Sequence, residues 1–338
     1  MRILVTGGAG FIGSNFIRWA LQAHPGVRIT NYDALTYAGN LANLSDIADD
    51  PGYHFVRGDL NDAGLLEQVL PGHDAVVNFA AESHVDRSIT ASREFLITNV
   101  LGANTLFDVA MRVEIPRFLH ISTDEAYGSI PEPGRFVEGD ALEPNSPYSA
   151  SKASADLLAR AYRVTYDYPI TITRTTNNFG PYHYPEKVIP LFVTNLIDGK
   201  KVPLYGDGRN IRDWTFVLDN ARAQWLVLTE GKPGEIYNVA AGNEMSNRDL
   251  TERILAHFGF GEEMIEHVPD RPGHDLRYSV DAMKVRGLGW KPEHPFDEAL
   301  EATIRWYLDN EWWWRPLKER GASRREGLVT PRGDHPQS

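Results

Sequence analysis

The sequence predicts an α/β protein in which a doubly wound parallel sheet carries a smaller, discontinuous C-terminal part. Three observations point there. Short apolar runs alternate with helical stretches through the first half of the 338 residues, and such alternation builds a parallel sheet covered by helices on both faces. Gly7, Gly10 and Gly13 fall where the first apolar run gives way to the first helical one. After Arg174 the alternation loosens, and Gly180-Pro181, Pro185, Pro190, Pro203, Gly206 and Gly208 crowd in among charged residues such as Lys187, Arg209 and Arg212.

The elements follow in order. Short apolar runs place strands at 3–6, 27–32, 54–56, 75–79, 118–122 and 170–173. Helical spacing places helices near 12–23, 62–70, 92–112 and 149–167. DWTFVLDNARAQWLVLTEG, 213–231, has helical spacing again and is expected to return to the main domain. The expected division is 1–176, with about 212–240, for the sheet domain, and 177–211 with 241–318 for the second. The tail, 319–338, is polar, with Arg, Gly and Pro, and is expected to be disordered. Trp312, Trp313 and Trp314 are expected to dock on the core rather than to form a ligand surface.

Hydrophobic residues at 42% and charged residues at 24% are the balance of a globular chain. A net charge of −12 opposes nucleic acid and anionic membrane, so neither is an expected partner. An anionic ligand therefore needs a local cluster of Arg, Lys and helix N-termini. Without cysteine there are no disulfides, thiolate metal sites or cysteine nucleophiles. The first strand begins at Met1-Arg2-Ile3, which leaves no signal peptide, and no apolar run reaches membrane length. A cytoplasmic location is expected.

LVTGGAGFIGSNF sets the three glycines after strand one and at the start of a helix. Glycine there lets the backbone turn tightly and approach a pyrophosphate, which the helix N-terminus stabilises. This is the arrangement of a Rossmann-type dinucleotide site. Strand two ends in NYDAL, which sets Asp33 twenty residues past Gly13, where a carboxylate accepts from a ribose diol. No Arg follows to hold a 2′-phosphate, so NAD is expected rather than NADP. RGDLND offers Asp59 and Leu60 to an adenine ring. Asp59 reads equally well as a helix-capping Asx turn.

PYSASKAS puts Tyr148 and Lys152 one helical turn apart on one face. Lysine and a cationic nicotinamide together favour tyrosinate, drawing the phenol down from its ordinary pKa near 10. Tyr148 can then take a hydroxyl proton while a hydride leaves the same carbon, and Thr123 can hydrogen-bond that oxygen. Two adjacent carboxylates, Asp124 and Glu125, follow Thr123 where strand five should end. Side by side they repel, and mutual repulsion helps keep one of them protonated.

With Tyr-Ser-Ala-Ser-Lys, the glycine pattern resembles the extended short-chain dehydrogenase/reductase superfamily. FAAESHVDRSI (79–89), STDEAYG (122–128), NNFGPYHYPEKVIP (177–190), IRDW (211–214) and DRPGHD (270–275) resemble its dTDP-glucose 4,6-dehydratase family, a likeness that runs from Met1 to about Lys318. Departures are Ala126, where that family usually has Val, and Thr175-Thr176, where it often has Cys-Ser; neither position carries chemistry. The resemblance implies catalysis by Thr123, Asp124, Glu125, Tyr148 and Lys152, with Glu125 the base at C5 and Asp124 the acid for the C6 hydroxyl. It assigns the cofactor Gly7, Gly10, Phe11, Ile12, Gly13, Asp33, Leu35, Thr36, Asp59, Leu60, Phe79, Ala80, Ala81, Thr98, Tyr148, Lys152 and Asn178. To the substrate, dTDP-glucose, it assigns Ser83, Thr123, Asn177, Lys187, Val188, Pro203, Tyr205, Arg212, Asn247, Arg271 and His274. Arg212 and Arg271 suit a diphosphate.

His183 and His274 belong to no metal constellation, and the chemistry needs no metal. The family implies a homodimer through the helices near 92–112 and 149–167, and small residues in the second (Ala150, Ala153, Ala155, Ala159, Ala161) permit close contact. Two other readings stand. A 4-epimerase or decarboxylase of the same superfamily is disfavoured by the acidic pair. A non-catalytic NAD-sensing protein should show a damaged Tyr-x-x-x-Lys, and this one is intact.

Overall fold

Strands buried on both faces need helices above and below, and the chain supplies them by alternating the two. The computed structural model describes residues 1–328. Its first strands are β1 (Arg2–Thr6), β2 (Arg28–Asp33), β3 (Tyr53–Arg57), β4 (Ala75–Asn78), β5 (Phe118–Thr123) and β6 (Ile170–Thr175). There follow β7 (Asn177–Phe179), β8 (Val202–Tyr205), β9 (Ile211–Phe216), β10 (Ile236–Val239), β11 (Glu244–Ser246) and β12 (Ile265–Val268). Seven of them form one parallel sheet in the order β10-β6-β5-β4-β1-β2-β3. The order reverses between β1 and β4, and ligands of such sheets bind at that switch, beyond the carboxyl ends of the strands.

Every residue of β4, β5 and β6 is buried. On one face the helix Phe11–Ala23 packs with Val217–Glu230, bringing Phe16, Ile17 and Ala20 against Ala221, Ala223 and Val227. On the other face Phe107 from the helix Ala103–Arg112 meets Ala155 and Ala159 from Pro147–Tyr166. No helix among the described residues is long and apolar enough to cross a membrane.

The region after Arg174, where the alternation loosens, holds a second core. β7 and β11 flank β9, β8 pairs with β12, and the helices Val188–Ile197, Asn247–His257 and Phe296–Asp309 close over them. Residues 213–216, expected to open a helix, instead belong to β9; the helix starts at Val217. Pairing with two strands overrides local spacing there. The expected helix at 92–112 is one helical run, with a wide π-type stretch at Leu96–Gly102 between Ser92–Phe95 and Ala103–Arg112. Of the three tryptophans, Trp313 and Trp314 are buried and Trp312 is exposed. Their helix, Glu311–Leu328, enters the tail expected to be disordered; 329–338 lie outside the described residues.

Candidate active site

Glycines shape the end of β1. Gly7 has φ +66°, and a Cβ there would come within 2.6 Å of the Ala80 backbone. One on Gly13 would meet the Gly7 carbonyl at 2.5 Å. The turn can therefore press against Phe79 and Ala80, which with Ala81 follow β4 directly. Gly10 caps the helix Phe11–Ala23 without any side-chain hydrogen bond, leaving the first-turn amides of Phe11, Ile12 and Gly13 for an anion.

At the end of β2, Asp33 is buried. It accepts the Ala9 N–H on Oδ2 at 2.9 Å and the Leu35 N–H on Oδ1 at 2.8 Å. Leu35 adopts φ +55°, a bend that brings Gly39 close to the carboxylate, with the Gly39 N–H on the Thr36 carbonyl at 3.2 Å. These groups fit a dinucleotide: an uncapped helix N-terminus for its pyrophosphate and an acceptor at the end of β2 for its ribose. Of the helix-capping Asx turn read at Asp59, the turn is present and the helix cap is not. Its Oδ1 accepts the Asn61 N–H at 2.8 Å in an Asx turn, yet the helix Ala63–Val69 is capped by Asp62. Leu60 is buried beside Gly102, and Thr98 lies on the π-type stretch.

Ser146 and Ser149 form a reciprocal capping box with Pro147 at the first turn, which fixes where the helix Pro147–Tyr166 begins and so where Tyr148 and Lys152 point. Tyr148 stands edge-on to Phe95, ring centres 6.3 Å apart, within hydrogen-bonding reach of Thr123. Lys152 donates to the Ile121 carbonyl at 2.6 Å. Burial pushes the Tyr148 phenol up, and Glu125 and Asp124 push the same way. The expected lowering rests on lysine and a nicotinamide cation together, and the protein's own groups by themselves hold the phenol up.

The 3-10 turn Asp124–Tyr127 follows β5 at once, with the Thr123 hydroxyl accepting the Glu125 N–H at 3.3 Å. Asp124 is 2% exposed. Burial raises its pKa well above the ordinary carboxylate value, and Glu125 adds to the rise. Burial also raises Glu125, against the pull of Arg271, Arg212 and Lys187. Asp124 Oδ2, Glu125 Oε2, Asn177 Oδ1 and Asn178 Oδ1 are buried acceptors without a hydrogen-bond partner. Acceptors left open at the carboxyl edge of a sheet suit a ligand rich in hydroxyl and amide donors.

Three cations face this edge from the other core. Arg212, on β9, is 5% exposed, donates to the carbonyls of Ile211 (2.7 Å) and Asp275 (2.9 Å), and lies 4.1 Å over the Tyr278 ring. Lys187, at the start of the helix Val188–Ile197, donates to the Ser83 carbonyl at 2.8 Å. Arg271 reaches Asp86 at 3.4 Å, and Tyr205 donates to the other oxygen of Asp86 at 3.2 Å. Pro203 and Tyr205 share a face of β8. His274 pairs with Asp270 at 2.6 Å and meets Tyr205 edge-on. Asn247 opens the helix Asn247–His257, its N–H on the Asn210 carbonyl at 2.9 Å. Sequence reasoning missed Asp86 and Tyr278. Asp86 sat inside the quoted SHVDRS without a role, and Tyr278 is visible only through the fold that lays it under Arg212.

The family model described as GDP-mannose 4,6 dehydratase matches residues 4–303. A dTDP-glucose 4,6-dehydratase of Streptomyces niveus is 52% identical over 94% of this chain and 96% of its own. One from Streptomyces antibioticus is 50% identical over 99% and 100%. The crystal structure of a dTDP-glucose 4,6-dehydratase from Streptomyces venezuelae, with NAD and TYD bound, superposes with a TM-score of 0.92 at 52% identity, covering 94% of this chain and 100% of that one. A Thermus thermophilus UDP-glucose 4-epimerase in complex with NAD gives 0.83 at 30% identity, covering 92% and 100%.

Proposed function

This chain belongs to the GDP-mannose 4,6 dehydratase family and within it to the dTDP-glucose 4,6-dehydratases, and from that membership we propose that it converts dTDP-glucose to dTDP-4-keto-6-deoxyglucose. NAD, when bound, accepts a hydride from C4 of the sugar and gives it back at C6. The chain's own residues handle the protons. Tyr148, beside Thr123, takes the C4 hydroxyl proton, and Lys152 supplies positive charge beneath it. With C4 a ketone, the C5 proton is acidic enough for a carboxylate, and Glu125 removes it. Asp124, kept protonated by burial and by its neighbour, gives its proton to the departing C6 hydroxyl, which leaves as water. A proton returns to C5 as the hydride reaches C6.

The observation that carries this reading is the adjacent pair of buried Asp124 and partly buried Glu125 at the end of β5, both raised in pKa, next to Tyr148. An epimerase has no water to expel and no use for such a pair. The glycine turn and Asp33 are proposed to hold NAD. Lys187, Arg212 and Arg271 are proposed for the diphosphate, and Pro203 and Tyr205 for the base. Incubation with dTDP-glucose and with UDP-glucose in parallel, read by mass spectrometry, tests it. Loss of water from the dTDP sugar is expected; isomerisation without loss of water would overturn it. Asp33 should also make NAD⁺ bind more tightly than NADP⁺, by at least about tenfold for one repelled or unpaired phosphate, as calorimetry can measure.

We also propose a cytoplasmic homodimer, since both ligands are cytoplasmic metabolites. The outer faces of the helical run 92–112 and of Pro147–Tyr166 expose Leu96, Ile97 and Leu101, with Leu157, Val164 and Tyr166. Ala153, Ala155 and Ala159 are buried in their own protomer, so these larger residues, with Ala161, form the proposed contact.

A further inference from the structure

Beneath the reacting groups lies a second charged set that the scheme above does not use. Lys152 is 4% exposed. One helical turn further on the same face stands Asp156, equally buried. Its Oδ2 accepts from Arg174 Nε, on β6, at 2.8 Å. Its Oδ1 has no hydrogen-bond partner and lies 3.9 Å from Nε2 of His120 on β5, an atom that also has none. The other ring nitrogen settles the tautomer. Nδ1 faces the amide nitrogen of Asn78 at 3.0 Å, while Asn78 Oδ1 accepts the Thr6 hydroxyl at 2.6 Å. Asn78 therefore donates to Nδ1, and Nε2 carries a hydrogen turned towards Asp156.

A plain structural ion pair would need only Asp156 and Arg174. Arg174 is otherwise well held, 4.6 Å over the Tyr127 ring and close to the Glu138 carbonyl. The open oxygen of Asp156 lies beyond that pair. We propose that Asp156 is a positioning residue for Lys152: its carboxylate, anchored by Arg174 and faced by the N–H of His120, supplies the anion that balances the lysine ammonium under the reacting alcohol. The inference rests on the reading of Tyr148 and Lys152 as the pair that oxidises C4. Burial pushes Lys152 down to about 8, and Asp156 opposes that push. The groups facing Lys152 are His120 from β5, held neutral by burial and by the lysine itself, Asp156 and Tyr148 from its own helix and, through Asp156, Arg174 from β6. Without Asp156 the lysine sheds its proton at lower pH, and the charge that favours tyrosinate goes with it.

Asp156→Asn removes the charge and keeps an acceptor for Arg174. Acetic anhydride acylates only the free amine, so the pH midpoint of Lys152 acetylation can be read by peptide mass spectrometry on NAD-loaded protein without substrate. That midpoint should fall by about one pH unit, an ordinary effect of losing one neighbouring charge. The alkaline limb of kcat should move down with it, while KM for dTDP-glucose stays within about twofold. Asp156→Glu should restore both. Should the single variant fold poorly, Asp156→Asn combined with Arg174→Gln replaces the ion pair by an amide pair, and the midpoint should still fall. A wild-type midpoint in a folded variant overturns the inference, as does a loss of activity that follows thermal stability alone with an unmoved alkaline limb. Failure of the C4-oxidation reading would show separately, as wild-type protein that forms no NADH from dTDP-glucose while the acetylation midpoints still differ.

Discussion

Asp124 and Glu125 occupy consecutive positions on one turn, yet the fold treats them differently. Asp124 is closed off and close to its like-charged neighbour, whereas Glu125 looks towards Arg271, Arg212 and Lys187. Asp124→Asn should therefore still oxidise C4 and exchange the C5 proton with solvent deuterium, then stall with NADH formed. Glu125→Gln should lose the exchange. Turnover should drop about 10²–10⁴-fold in each, the usual cost of losing a placed acid or base, and Tyr148→Phe should form no NADH at all. Single-turnover absorbance separates the three, and near wild-type turnover by Asp124→Asn would sink the scheme. Stability carries a second signature. The folded Asp124 pKa lies above its ordinary 3.8, so as pH rises past that value the unfolded chain releases its proton first and stability falls. Asparagine holds no such proton. Asp124→Asn should melt above wild type at pH 8, and the gap should close as pH falls towards 3.8, which calorimetry across pH checks. The acidic pair and Tyr148 with Lys152 were readable because neighbours in sequence stay neighbours in space. Asp86 and Tyr278 were not, because each gains its meaning from a partner far along the chain, Arg271 and Arg212.

At the scale of elements, legibility follows contact range. β1 to β6 pair in parallel with one another, and each shows as an apolar run set between helical stretches. β7 and β11 have three residues each, and they become strands only by flanking β9. The helix Val188–Ile197 was hidden by Pro190, which is tolerated because it sits in the first turn, where its missing N–H is not needed. The paired helices make the testable case. Leu101 and Leu157 are more than half exposed on neighbouring helices, and apolar patches of this kind mark contact surfaces. Leu101→Glu with Leu157→Glu should convert a dimer to monomers at micromolar concentration by sedimentation, leaving far-ultraviolet circular dichroism unchanged. A wild-type protein that sediments as a monomer would end the proposal.

The whole molecule has cores on two sides of its site, and they are not equivalent. The seven-stranded sheet, cored on both faces, carries the glycine turn, Asp33 and the acidic pair at the carboxyl ends of its strands. The other core joins Trp214, Phe216, Val202 and Leu204, from the strands that carry Arg212, Pro203 and Tyr205, to Trp313, Trp314 and Leu317 near the C-terminus. Trp314 is fully buried there, its indole N–H on the Tyr307 carbonyl at 2.8 Å. Trp313 donates across to Asn43, on the 3-10 segment Leu41–Ile47 that lies near the glycine turn, at 2.8 Å. The C-terminal helix thus fills the second core and reaches the segment beside the glycine turn through the Trp313–Asn43 bond. Trp314→Ala should cost about 3–5 kcal/mol of stability, the usual effect of emptying a large aromatic site. The cavity opens in the core that also holds the apolar side chains of β8 and β9, so the groups proposed for the diphosphate and the base should shift while the glycine turn does not. Affinity for dTDP should then fall by more than about tenfold, roughly 1.4 kcal/mol, with NAD⁺ affinity nearly unchanged, both measured by calorimetry on the folded variant at low temperature. Equal losses for the two ligands would mean that both cores answer as one unit, and that the site cannot be divided between them.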